Sequence, residues 1–298
     1  MRRVLFAVSV IVVLVLVAWL ATGRPVNYGA LAGAAEAPDS SPSTRYTATR
    51  VTITTTTGRR LTCLLRAPVR APSARALTLL VAGGQVTGRR AVLKVDSTVA
   101  ALALACDYPW RVLADRRGLA FLVALPRLRA EVVATPQVLK IAATYLLARP
   151  AADSARFAAV GASLGVPPVA TWAGMDSRPR AVALLYGGGE LWRLFEANLG
   201  GDVRSPRLRT IVAHLLGFLL RPIEPTRTVG GIAPRALLVV GAEADRRIPR
   251  PGIEALFAAA GEPKRLVWFG GQHMDVDDAT ILRSLADTTL AWLAEVLP

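Results

Sequence analysis

Two histidines, two cysteines, three methionines and three lysines are all that this chain of 298 residues holds of those types. His214 and His273 stand apart from the cysteines, and neither sits at ligand spacing with carboxylates. The pattern therefore offers no zinc site, and no metal or cofactor is expected. Cys63 and Cys106 are too few for a disulfide scaffold. Whether they pair or serve as small buried hydrophobes stays open. Lys94, Lys140 and Lys264 are the only lysines, so the excess of 36 basic over 21 acidic residues is arginine. The basic residues come singly or in pairs such as Arg59-Arg60 and Arg89-Arg90, never as a long tail. Zinc-finger spacing, an RNP-like stretch and basic-aromatic interleaving are all missing, which leaves a nucleic-acid partner supported by charge alone. A net charge of +15 favours an anionic membrane face or a cell-wall polymer instead. There is no internal repeat and no low-complexity tract.

What is present argues for a large folded domain. Hydrophobic residues make up 53% of the chain and charged ones 19%, a balance opposed to disorder. Arg2 and Arg3 precede an uncharged apolar run over residues 4–21 in which Ser9 is the one polar member. About 18 residues of helix span about 27 Å, close to the hydrocarbon thickness of a bilayer. The run is long for a cleaved signal peptide, and the small-x-small site Ala30-Leu31-Ala32 lies well beyond its end. An uncleaved signal anchor fits better, with the basic flank inside and the rest exported. If the segment is cleaved, a secreted or periplasmic protein follows. Residues 1–22 are thus assigned to a signal anchor or signal peptide, 23–45 to a linker rich in Ala, Gly, Pro and Ser, and 46–298 to the domain.

Within the domain, 49–55 and 60–66 read as a hairpin across Gly58. Residues 76–81 (ALTLLV) form a nearly all-apolar run that ends in Ala82-Gly83-Gly84, as a buried parallel strand feeding a loop does. Further strands are expected at 119–125, 156–160, 181–185, 236–240 and 266–269. Helices are expected near 108–115, 136–147, 164–172 and 253–260, with a last one over 278–296. Strands alternating with helices predict an α/β fold with a mostly parallel central sheet flanked by helices. The long connection 187–231 carries the apolar stretch 211–220. That stretch either covers the sheet or forms a small lid, in which case Leu216 and Phe218 would line an acyl pocket.

The sharpest chemical signal is Gly161-Ala162-Ser163-Leu164-Gly165, directly after the apolar 157–160 run and before a helical stretch. A serine on a tight strand-to-helix turn exposes its hydroxyl, and the flanking glycines let the backbone make that turn. His273, in Gly270-Gly271-Gln272-His273, lies just beyond a short strand, where a general base can reach a nucleophile on a neighbouring strand end. His214 sits in the most apolar helical stretch and is expected to be a hydrogen-bonded core or lid residue. Among Asp176, Asp202, Glu243 and Asp245, the last is the best acid, because its strand falls between those leading to Ser163 and His273. Oxyanion donors would be the Leu164 N–H and a main-chain N–H of Gly84 or Gln85.

These residues resemble the α/β-hydrolase superfamily, and within it the dienelactone-hydrolase-like and prolyl-oligopeptidase-like esterase branches. The likeness is carried by Ala82-Gly83-Gly84, Gly161-x-Ser163-x-Gly165, the run Ile232-Ala233-Pro234-Arg235 with the strand after it, Asp245-Arg246-Arg247-Ile248-Pro249, and Gly271-Gln272-His273. Ala82-Gly83 stands where the family often has His-Gly, and the loop after Gly241 is one residue longer than the common Gly-x-x-Asp. The resemblance implies a serine hydrolase with Ser163, Asp245 and His273 as a triad. A small carboxylic ester would be the substrate, an acyl-enzyme the intermediate, and no cofactor would be needed. Two alternatives stay open: an acyltransferase on the same triad, and a non-catalytic envelope binding protein on the same fold. The implied place is the cell membrane, reached through the N-terminal helix. The oligomeric state is not legible.

Overall fold

The computed structural model describes residues 23–39, 46–69, 76–83, 101–275 and 277–297. The expected anchor at 4–21 and the expected oxyanion donors Gly84 and Gln85 lie outside the described residues. Among those described, no helix is long and apolar enough to cross a membrane.

Nine strands of the described residues form one sheet: β1 (Leu31–Pro38), β2 (Tyr46–Thr55), β3 (Arg60–Pro68), β4 (Ala76–Gly83), β5 (Ala101–Cys106), β6 (Ala152–Ala162), β7 (Ala181–Leu185), β8 (Ala236–Ala242) and β9 (Lys264–Phe269). Their spatial order is β1-β2-β3-β5-β4-β6-β7-β8-β9. The strands from β5 to β9 in that order run parallel, and β1, β2 and β3 join antiparallel at one side. From β4 the chain first goes to β5 on one flank and then returns to β6 on the other. That reversal marks the carboxyl ends of β4 and β6 as the place where ligands bind in open α/β sheets.

The central strands are almost wholly apolar where helices cover both faces, β4 carrying only Thr78 and β6 turning apolar from Phe157 onward. Phe157 and Ala159 of β6 face Val138, Ile141 and Ala142 of α3 (Thr135–Leu147) and Val169 of α4 (Val166–Met175). Ala158 and Val160 face the opposite layer, where the last helix, α8 (Ala279–Val296, after α7 at Arg250–Ala259), contributes Leu285, Trp292 and Leu293. Asp278 caps that helix by accepting from the Thr280 and Ile281 amides.

The structure departs from the sequence expectation in several places. Residues 119–125, expected as a strand, lie in helix α2 (Gly118–Val133), which follows the single turn α1 (Arg111–Ala114) within the expected 108–115 helix. A seven-residue apolar run carries no period that separates helix from strand. What extends it as a helix is the next turn, where Arg127 pairs with Glu131 at i,i+4. The strand in this region is β5, whose sequence ALALAC has little β-branching to mark it.

Part of the expected 23–45 linker belongs to the domain. Residues 31–38 pair with β2 as its edge neighbour, and Val26 and Tyr28 are buried. Tyr28 donates from its hydroxyl to Glu131 at 2.5 Å and from its amide to Gln137 at 3.0 Å. Arg59 and Arg127 also bind Glu131. Burial alone would raise the Glu131 carboxyl, but the hydrogen bonds from Tyr28 and Arg59 outweigh it and hold it below the ordinary range. Cys63 and Cys106 are register partners on β3 and β5 and are joined as a disulfide.

Candidate active site

Ser163 stands on the turn between β6 and α4, with φ at 52°. A serine held in the left-handed region is strained, and its surroundings enforce that conformation. A Cβ on Gly165 would fall 1.9 Å from the Ala82 carbonyl oxygen at the end of β4, and one on Gly161 would fall 2.9 Å from the Val169 Cβ. The two glycines are thus the places where β4 and α4 press against the turn. Leu164, beside Ser163, begins the chain's passage into α4 through a short 3-10 turn, Ser163–Gly165.

Asp245 and His273 come from neighbouring strand ends. The Glu243 amide donates to the Phe269 carbonyl and the Ala244 amide to the Gly271 carbonyl, which zips the loop after β8 to the loop after β9. Asp245 is buried, and its Oδ1 accepts from the Arg247 and Ile248 amides at 2.8 and 2.9 Å. Its Oδ2 meets His273 Nδ1 at 2.7 Å, while His273 Nε2 lies 3.0 Å from Ser163 Oγ. One ring nitrogen is thus fixed by a carboxylate and the other offered to a hydroxyl, as general-base activation of a serine requires. Among the described residues no group of His, Cys, Asp and Glu could hold a metal ion.

The competing acids lie elsewhere. Glu243 and Asp202 are exposed, and Asp176 is engaged by Trp172 and Arg178. His214, expected as a hydrogen-bonded core or lid residue, is exposed and stacks on Trp192 at 4.3 Å between ring centres. The expected insert 187–231 contains α5 (Leu191–Asn198) and α6 (Pro206–Leu219), packed on each other. Asn198 donates to the Arg247 carbonyl, which ties α5 to the loop bearing Asp245. On α6, Leu216 is half-buried and Phe218 is 61% exposed; the stretch does not lie buried on the sheet.

Tyr186 carries no signal in the sequence, since an aromatic residue ending an apolar strand reads as core. It is buried, has φ at 52°, and sets its ring edge-on to the His273 imidazole at 5.8 Å. Its amide donates to the Val240 carbonyl at 2.7 Å. Burial and then the nearby Asp245 charge push its phenol upward, so it stays protonated. With Asp245 on one edge and Tyr186 across it, the imidazole has little freedom to swing.

No family model matches the chain and no curated protein does. Solved structures do. A hypothetical protein from Pseudomonas aeruginosa superimposes with a TM-score of 0.62 at 18% identity, over 86% of this chain and 95% of that one. Acetyl xylan esterase 1 from a Thermoanaerobacterium species gives 0.58 at 13%, over 96% and 94%. A puromycin-hydrolysing peptidase from Mycobacterium tuberculosis gives 0.61 at 18%, over 87% of this chain but 41% of that one.

Proposed function

We propose that this chain, which has the α/β-hydrolase fold, is a serine hydrolase that cleaves carboxylic esters through an acyl-enzyme. The observation that carries this reading is the hydrogen-bonded array Ser163–His273–Asp245 at the carboxyl ends of the strands. Several proteins of similar fold are described as esterases, two of them as acetyl xylan esterases, which favours an ester over an amide.

In this reading Ser163 Oγ attacks the ester carbonyl as His273 Nε2 takes its proton. Asp245 holds the Nδ1–H tautomer and stabilises the imidazolium. The Leu164 N–H, with a main-chain N–H from Gly84 or Gln85, receives the charge that develops on the carbonyl oxygen. His273 then returns the proton to the leaving alcohol, and water, deprotonated by the same imidazole, frees the acid. In this reading the domain is exported, which the Cys63–Cys106 disulfide supports since such bonds persist outside the reducing cytosol, and residues 4–21 hold it at the membrane.

A fluorophosphonate probe tests the chemistry directly. The wild-type chain is expected to be labelled and to hydrolyse p-nitrophenyl esters, and Ser163→Ala to do neither while keeping its melting temperature. A folded wild-type chain that takes no label points to a binding protein. Ester turnover yielding mainly a new ester when an alcohol competes with water points to an acyltransferase.

A further inference from the structure

Helix α6 carries an apolar stripe on its exposed side. At about 100° per residue, Leu208, Ile211, Leu215 and Phe218 fall within one arc about 80° wide. That arc faces away from the protein: Leu208 is 49% exposed, Ile211 52% and Phe218 61%. Toward the protein the helix presents Ala213 and, in its last turn, Leu219, both buried, and Thr210, whose hydroxyl donates to Glu196 of α5. A helix resting on a domain in water normally has the reverse arrangement.

Basic groups rim this apolar arc. Arg204, Arg207 and Arg221 are exposed, and among the described residues none of them forms an ion pair. Over residues 200–221, Asp202 is the one acidic residue against four arginines. The start of the described chain lies at the same place. The backbone of Gly23 packs on α2, where a side-chain carbon would stand 2.3 Å from the Pro126 carbonyl oxygen. One turn on, Arg129 donates from Nε to the Leu219 carbonyl at the end of α6, at 2.9 Å. Val123, three residues before Pro126, is 66% exposed, and Arg24 is exposed. The described chain therefore begins beside the carboxyl end of α6.

We propose that the outward face of α6 rests on an anionic lipid surface, with Leu208, Ile211 and Phe218 in the acyl boundary and the rim arginines on the headgroups. An exposed apolar arc flanked by arginine is how a helix lies in a membrane interface. A second copy of the chain fits less well, because a two-fold contact through this arc would bring the unpaired arginines of both copies together. The inference rests on the proposed anchoring by residues 4–21 and is independent of the chemistry at Ser163. Since the insert carrying α6 is tied to the Asp245 loop, a seated helix sets the active site close to the bilayer.

The test uses the full chain in vesicles of equal parts phosphatidylglycerol and phosphatidylcholine with brominated acyl chains, which quench tryptophan on contact. Phe218→Trp is compared with wild type and with Met175→Trp. Met175 is 70% exposed at the end of α4 remote from Ser163. Both substitutions are at exposed positions, where little change in stability is expected. The emission added by Phe218→Trp is expected to be mostly lost, and that added by Met175→Trp retained. The quenching should weaken in pure phosphatidylcholine or at high salt. Equal emission from the two variants in the anionic vesicles overturns the proposal. So does a blue shift of Phe218→Trp that grows with protein density without quenching, the sign of self-association. An alkaline carbonate wash separates the premises: protein washed off overturns the anchoring and the docking with it, whereas protein retained but unquenched overturns the docking alone.

Discussion

Asp245 and Glu243 are two positions apart, yet the fold buries the first on three hydrogen bonds and leaves the second exposed. Asp245→Asn keeps an oxygen for the Arg247 and Ile248 amides, so the loop should hold. The amide nitrogen would then face His273 Nδ1 and favour the wrong tautomer, and kcat on p-nitrophenyl acetate should fall by about 10³–10⁴-fold. Glu243→Gln should leave kcat near the wild-type value, and the reverse ranking would show that the acid has been misassigned. Gly165→Ala tests the turn itself. Its methyl would meet the Ala82 carbonyl, and moving that strand end should cost about 1–3 kcal/mol, read as a lower melting temperature, along with most of the activity. These residues were legible because their signals are local: a glycine-flanked serine after a strand, and a histidine among only two. Asp245 needed the strand order as well. Tyr186 had no local signal, because its importance comes from facing His273 across three-dimensional space.

Among elements, those with a period or a cap were readable and those without were not. Strands β4, β6 and β8 announce themselves by apolar stretches ending in glycine or alanine, β7 by the wholly apolar AVALL, and α8 begins at a capping aspartate. By contrast, 119–125 and β5 are short apolar stretches whose type is decided by their neighbours. The segment 24–38 looked like a linker because small residues dominate it. What fixes its first part is the Tyr28–Glu131–Arg59 cluster, whose members come from three separate stretches. That cluster gives a signed prediction. A carboxyl held below its ordinary value contributes stability that is complete above that range and is lost as pH falls through the depressed value. The melting difference between wild type and Glu131→Gln should therefore be largest at neutral pH and shrink on acidification below the ordinary carboxylate range. A difference that does not change with pH would mean Glu131 acts by packing alone. On α6, Phe218→Ala should shift stability by no more than about 0.5 kcal/mol, since the ring is mostly exposed.

At the scale of the whole molecule, the antiparallel flank is attached to the parallel core through β3 and β5, and the Cys63–Cys106 bond crosses that seam. The bond closes a loop with a sequence separation of 43. Its reduction, or Cys63→Ala with Cys106→Ala, should lower the unfolding free energy by about 2–4 kcal/mol in denaturant titrations. A midpoint unmoved by reductant would show that the flank holds without it. Beyond the bond stands β1, one rim of the sheet, made of LAGAAEAP and paired with β2 along nearly its whole length. Its residues are small, with a glutamate and a closing proline, which makes it a poor template for another strand. The strand behind it, β2, is longer and rich in threonine and other β-branched residues. Trimming the chain at residue 40 would remove β1 and bare the amides and carbonyls of β2, an invitation to edge-to-edge stacking between molecules. A chain starting at residue 23 should stay monodisperse, while one starting at residue 40 should form thioflavin-positive aggregates: the least chemically gifted strand of the protein is its guard against fibres.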